Sequence, residues 1–176
     1  MKSIIKVALT LTALAISGQS MASSGCSFSD SNSFLPTCGA EKKEVIITGL
    51  ISPETLAKEA WFDESLKDYK IDEATLAPLK AITTPTEIVV IIGTWCPDCH
   101  RETPRFIKII ETINNPNITV KYIGIDRTKT DPDGLAKAYE FTRIPTFIVY
   151  QDGKEIGRII EKPAVSLEQD LVAILK

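Results

Sequence analysis

The chain has 176 residues, 44% of them hydrophobic, and its 20 basic residues are outnumbered by 23 acidic ones, for a net charge of −3. No Lys/Arg cluster offsets that sign, which disfavours nucleic acid and anionic membrane surfaces as the main partner. The length suits one domain large enough to bury a full core once a short leader is set aside.

Residues 1–22 read as a secretory signal peptide. Lys2 and Lys6 make the start positive, Val7 to Ile16 is mostly apolar, and Ser20-Met21-Ala22 places small residues where a signal peptidase reads. The apolar run falls well short of the roughly 20 residues that span a bilayer, which argues against an uncleaved anchor. The mature chain is therefore expected to begin near Ser23, to have no membrane span and to be exported to the periplasm, where disulfides persist. Losing Lys2 and Lys6 takes the net charge to about −5. A lipoprotein modified at Cys26 is the second option; Gly25 suits it, but Ser23 stands where a larger aliphatic residue is usual.

Residues 23–44 form an irregular lead-in, rich in Ser with Asn, Pro and Gly, and carry Cys26 and Cys38. Residues 45–176 read as one α/β domain, with a strand and a helical extension over 45–84 and a core over 85–176. Val45 to Leu50 is a candidate first strand. From Pro53 to about Tyr69 the spacing of Leu56, Ala60, Trp61 and Leu66 predicts one helix with Ser52 as its N-cap. Trp61-Phe62 on it are expected to be packing residues of an added helical cap, with a peptide-binding role as the alternative. A second short helix is expected over Asp72–Ile82, weakened by Pro78.

Glu87 to Ile92 is the strongest strand, a β-branched run of the kind buried on both faces. It leads directly into Trp95-Cys96. Pro97 to about Asn114 is helical, with Phe106, Ile109, Ile110 and Ile113 on one face and a kink expected at Pro104. Thr119 to Ile125 is a further strand. Asp131-Pro132-Asp133-Gly134 is a turn ahead of a short helix ending near Phe141. Thr146–Tyr150 and Glu155–Glu161 are strands joined across Asp152-Gly153, a strong hairpin signal. Ser166 caps a closing helix to Leu175. This order implies a mixed central sheet flanked by helices.

Trp95-Cys96-Pro97-Asp98-Cys99-His100 carries the chemistry. A helix that starts at Cys96 sets its sulfur against free N–H groups and the positive end of the dipole, which lowers the thiol pKa. The resulting thiolate is the species that attacks a disulfide. Cys99 lies one turn on, near enough to close a disulfide with it. Pro97 in the first turn gives up no needed hydrogen bond. Asp98 suits a helix N-terminus, yet its charge opposes a thiolate beside it, so its net effect stays open.

The same string is C-x-x-C-H, the attachment signature of c-type haem, with His100 as proximal ligand. The second axial ligand is wanting: His100 is the sole histidine, and the methionines, Met1 and Met21, lie in the leader. His100 is then expected to be an exposed residue of the first helical turns. A four-thiolate zinc site from Cys26, Cys38, Cys96 and Cys99 is disfavoured by the wide spacing of the first two. A disulfide between Cys26 and Cys38 is simpler outside the cytoplasm, stapling the lead-in or relaying electrons to the second pair. No metal and no separate cofactor are implied.

Trp95-Cys96-x-x-Cys99 followed by Pro104, then Ala138-Tyr139 and Ile144-Pro145-Thr146-Phe147, then "DGKEIGRIIE" from Asp152 to Glu161, resembles the thioredoxin family. The resemblance covers about Val45 to Lys176. It implies a thioredoxin-like fold, here with an N-terminal helical extension, in which Pro145 is cis and stacks against the cysteine pair. Ile144 would offer backbone hydrogen bonds to a substrate chain, and Trp95 would flank the nucleophile. The implied activity is that of a thiol–disulfide oxidoreductase, with Cys96 attacking and Cys99 resolving. Its partners would be protein thiols or disulfides and a redox partner that recycles the pair. A monomer is expected, and reduction over oxidation.

Two departures from the family stand out. Pro97-Asp98 replaces its familiar central Gly-Pro. The family also buries an Asp six residues before the first cysteine, paired with a Lys on the neighbouring strand; those positions here are Val90 and Tyr122. Glu87 and Asp98 are the carboxylates that could stand in. The competing class is a binding module of the same fold whose cysteine pair is structural or idle.

Overall fold

The apolar run after Thr86 becomes the middle of the molecule. In the computed structural model, which describes residues 45–176, strand β2 (Thr86–Ile92) is buried at every position but Glu87. The leader, the lead-in and Cys26 with Cys38 lie outside the described residues. β2 pairs parallel with β3 (Ile118–Gly124) on one side and antiparallel with β4 (Thr146–Gln151) on the other. β1 (Gly49–Ile51) borders β3, and β5 (Lys154–Ile160) borders β4, so the sheet is mixed, in the order β1-β3-β2-β4-β5. A strand paired along both edges and covered on both faces has no solvated side, which is why Val and Ile fill it without alternation. The β4–β5 hairpin turns at Asp152 and Gly153, both at positive φ (52° and 71°), the backbone that an Asp-Gly loop supplies.

Among the described residues five helices flank this sheet, besides one short 3₁₀ turn. α4 (Pro97–Ile113) follows β2 and continues through Pro104. Its Phe106 ring lies 4.7 Å from Phe147 and 6.4 Å from Tyr122. Both of those residues are in register with Val90 across the sheet, so Phe106 covers the row Tyr122–Val90–Phe147. Burying one such aromatic side chain stabilises by about 2–3 kcal/mol. α5 (Leu167–Leu175) is capped by the Ser166 hydroxyl, which accepts from Gln169 N–H, and packs on β5 and α4. Gly157 lets it sit close, since a Cβ there would fall 2.8 Å from Ile174 Cγ2. α3 (Glu73–Lys80) packs on α4 and α5, with Leu76 and Leu79 buried.

The single helix expected from Pro53 to Tyr69 is instead two. α1 (Pro53–Leu56) ends at Ala57, and α2 (Ala60–Leu66) starts after Glu59. Leu56 and Phe62 are both buried. On one continuous helix those positions would point about 120° apart, so the break re-aims the second half. Phe62, not Ala60, is therefore the residue that α2 buries. β1 is also shorter than expected. Ile47 leaves the sheet direction to donate its N–H to Thr94 Oγ1 at 3.0 Å. The helix expected before Phe141 is only a 3₁₀ turn at Ala136–Ala138. There the Asp131 carboxylate accepts from the N–H groups of Leu135 and Ala136 at 2.9 and 2.8 Å, doing the work of a helical turn's carbonyls.

Candidate active site

β2 hands over to α4 through Gly93, Thr94 and Trp95. The N–H of Cys96 returns to Gly93 O at 2.9 Å, closing a turn that leaves Cys96 at the N-cap of α4 with extended backbone (φ −96°, ψ 122°). Pro97 opens the helix, as expected. Cys96 and Cys99 are free thiols, both buried, Cys99 the more deeply at 1% exposure. The Gly93 N–H donates to Cys99 Sγ at 3.3 Å, and Cys96 Sγ lies 3.7 Å from the Ile144 carbonyl. The Ile144–Pro145 bond is cis, as the resemblance implied.

The two thiols differ in kind. The hydrogen bond that Cys99 donates to Cys96 is the main cause that holds the Cys96 pKa down at about 6. Burial opposes that bond, and the helical N–H groups of Cys99 and Asp98 reinforce it. Cys99 is pushed far up, first by burial and then by the bond it gives to Cys96, with only the Gly93 N–H pulling the other way. One sulfur is thus a thiolate near neutral pH while its neighbour keeps its proton.

Asp98, whose net effect the sequence left open, acts twice. Its backbone N–H favours the Cys96 thiolate, and its charge, the smallest named contribution, opposes both thiolates. The carboxylate itself is held by Arg101 at 2.8 Å. Trp95 is half-buried beside Cys96; its indole N–H donates to Ile125 O at 3.1 Å, and the Arg127 guanidinium covers its ring at 5.0 Å. Gly93 belongs to the site although the motif does not name it. A Cβ there would lie 2.8 Å from the Trp95 ring and 2.9 Å from Ile144 Cδ1. A glycine closing a buried strand was the available signal for such close approach.

His100 is not an exposed bystander. Its ring stacks on Trp61 (centroids 4.5 Å, 11° between planes), and Nε2 is 2.6 Å from Thr94 O. The helical extension thereby grips the turn that carries the cysteines. Nothing in the local sequence pattern links Trp61 to His100, so this contact was not legible. The histidine is committed to Thr94 and Trp61 rather than turned outward as a ligand.

Val90 and Tyr122 do face each other across β2 and β3, both buried. Neither stand-in carboxylate reaches them. Glu87 lies near the other end of β2, paired with Lys121 at 2.5 Å, and Asp98 is taken by Arg101. A carboxylate buried on α4, Glu102, accepts from Arg101 Nε at 2.6 Å. Among the described residues no group of three or more His, Cys, Asp or Glu is placed to hold a metal. No described helix is long and apolar enough to cross a membrane.

The chain is similar in sequence to several known proteins. A thioredoxin-like protein of Acanthamoeba polyphaga mimivirus is 31% identical over 85 residues, 48% of this chain and 59% of its own. Mitochondrial thioredoxin-3 of Saccharomyces cerevisiae is 31% identical over 84 residues, 48% of this chain and 61% of its own. Thioredoxin of Chlamydia pneumoniae is 30% identical over 73 residues, 42% of this chain and 66% of its own. The chain thus spans about three fifths of the length of the first two relatives. The thioredoxin family model matches residues 52–173, a stretch that takes in the helical extension, the dithiol turn and the cis-proline loop. With its mixed five-stranded sheet and flanking helices, the chain belongs to the thioredoxin family.

Proposed function

We propose that the protein is an exported thiol–disulfide oxidoreductase that reduces protein disulfides. The observation that carries this reading is the asymmetry of the pair: Cys96 at a helix N-terminus with a pKa of about 6, and Cys99 buried and protonated. Cys96 attacks a substrate disulfide and forms a mixed disulfide. Cys99 then attacks Cys96 Sγ, closes the intramolecular disulfide and frees the reduced substrate. Trp95 and the Ile144–Pro145 backbone flank the sulfur, where an extended substrate chain lies across it.

What supports that direction is how far the thiolate is favoured. Stabilising the thiolate stabilises the reduced protein and makes its disulfide more oxidising. A nucleophile at about 6 sits much nearer the thioredoxin value of about 7 than the value of about 3.5 found in a strong oxidant. Export rests on the charged, apolar and small-residue series of residues 1–22. Outside the cytoplasm a reductant needs a partner that resupplies its electrons, and Cys26 with Cys38 is free there to form a disulfide.

Two measurements test the reading. Thiol alkylation across a redox buffer series gives the potential of Cys96/Cys99: near roughly −270 mV the protein is a reductant, near roughly −120 mV an oxidant. Cys99→Ser is expected to accumulate mixed disulfides through Cys96. If this variant traps no species under oxidising conditions, the pair is idle and the fold serves as a binding module.

A further inference from the structure

We propose that the Thr103 hydroxyl is the hydrogen-bond donor that stabilises Cys99 as it becomes a thiolate and resolves the mixed disulfide. This rests on the exchange reading above. Thr103 is wholly buried, and its Oγ1 is one of two buried side-chain polar atoms without a partner among the described residues. The other, Nε of Arg105, belongs to a guanidinium that already faces Glu102 and the Tyr69 ring. A helical threonine commonly gives its hydroxyl to the carbonyl four residues back. Thr112 of the same helix does so, to Lys108 O at 2.7 Å. Thr103 does not bond the carbonyl of Cys99, so its proton is uncommitted.

Its position makes that proton useful. Thr103 lies four residues after Cys99, on the same face of α4, with a Cβ separation of about 5–6 Å expected for such a pair. It also precedes Phe106 by three residues, and Phe106 covers the Tyr122–Val90–Phe147 row. α4 begins at Pro97, next to the turn whose Gly93 N–H reaches Cys99, and continues past Thr103 to Phe106 over that row. Thr103 therefore lies along α4 between Cys99 and Phe106, the residue that covers the row in which Val90 stands.

The chemistry has room for one more donor. In the dithiol, Cys99 keeps its proton and donates it as a hydrogen bond to Cys96, and accepts only the Gly93 N–H. Once Cys96 is bonded to a substrate sulfur, Cys99 has lost that acceptor. As Cys99 gives up its proton, its sulfur bonds to Cys96 Sγ, and the Cys96–substrate S–S bond breaks. The substrate sulfur leaves with the electron pair and takes up a proton, so charge and electrons balance. A thiolate developing in so dry a place needs hydrogen bonds, and those to a charged acceptor are the strong ones. A turn about χ1 of Thr103 supplies one from an otherwise orphaned group.

The test mixes reduced protein with excess of the aromatic disulfide DTNB, which releases one coloured thiolate when Cys96 attacks and a second when Cys99 resolves. Thr103→Val keeps the shape and removes the hydroxyl; Thr103→Ala is the second variant, and Thr103→Ser restores the donor. Expected is a first phase within about twofold of the unaltered protein and a second phase slowed about tenfold, one strong hydrogen bond's worth. The second phase should also move its pH midpoint upward, and Ser should rescue both changes. A purely structural role would shift the melting temperature and leave the pH profile in place. Second phases of the Val and Ala variants that match the unaltered protein in rate and pH profile overturn the proposal. An unaltered protein that never releases its second equivalent overturns the exchange reading with it.

Discussion

At its C-terminal end β2 runs into Gly93 and the dithiol; at its N-terminal end, about 20 Å away along the strand, Thr86 borders a cleft of about 440 Å³ lined by Pro85, Asn117, Tyr150 and Asp152. The cleft at the dithiol end, between Asp98, Arg101, Glu161 and Lys162, measures about 490 Å³. Volume does not separate the two ends. What separates them is how their polar groups are spent. At Thr86 the hydroxyl donates to Thr84 O at 3.0 Å and accepts from Gln151 Nε2 at 3.1 Å, and the Asn117 amide donates to Ile82 O at 3.1 Å. That end is a closed account of hydrogen bonds. At the other end a helix begins on a sulfur, the neighbouring sulfur is stripped of water, and a buried hydroxyl is left unpaired. In this fold reactive groups gather where hydrogen bonding is incomplete by design of the turn, not where space is largest.

The contrast can be tested hardest at Cys96. Cys96→Ser is expected to abolish the proposed disulfide reduction, with a loss of at least about a thousandfold in an insulin-type turbidity assay, because among the described residues no other sulfur stands at a helix N-terminus. In the unaltered protein, alkylation of Cys96 by iodoacetamide should speed up as pH rises through about 6 and level off above it, since only the thiolate reacts. A midpoint near 8.5, the free thiol's value, would mean that the turn does nothing to the sulfur.

Gly93→Ala ranks next. Its Cβ meets the Trp95 ring and Ile144 Cδ1 at under 3 Å, so a loss of about 1–3 kcal/mol of stability is expected by urea titration. The alkylation rate should fall with it, because the same shift moves the cis-proline loop off Cys96. His100→Ala removes the tie to Thr94 O and the stack on Trp61. About 1 kcal/mol of stability is expected to go, from the stack and one net hydrogen bond, and Trp61→Ala should lose a similar amount. A double mutant cycle that finds the two strictly additive would show that the extension does not grip the dithiol turn. Smallest of all, Gln151→Ala at the inert end should cost about 1 kcal/mol or less and leave the alkylation rate of Cys96 unchanged. A change of more than about twofold there would break the distinction between the ends of β2.

Much of the architecture was legible because it is written in near neighbours. The β-branched run of β2, the Asp-Gly hairpin, the Ser166 cap and the helix opening at Cys96-Pro97 each depend on a few consecutive residues. The helix expected across Pro53–Tyr69 failed for the opposite reason. Its periodicity was tolerable over the whole span, and only the demand that both Leu56 and Phe62 reach the core made a break at Ala57–Glu59 the better solution. The helix expected before Phe141 gave way in the same manner to the Asp131 side chain, which captured the N–H groups a helix needs.

The candidate site divides along the same line. Sequence alone determined that two thiols stand one turn apart at a helix start and that a buried strand delivers them. Those are consequences of spacing and of the helix's own unpaired N–H groups. Only the tertiary structure decided how deeply each sulfur is buried and what it meets, by bringing the Gly93 N–H onto Cys99 and the Ile144 carbonyl near Cys96. It also decided that His100 belongs to Trp61 and Thr94, and that the buried Thr103 hydroxyl on α4 stays unpaired. Burial and hydrogen-bond completion depend on segments far apart in the chain, and no local pattern encodes them.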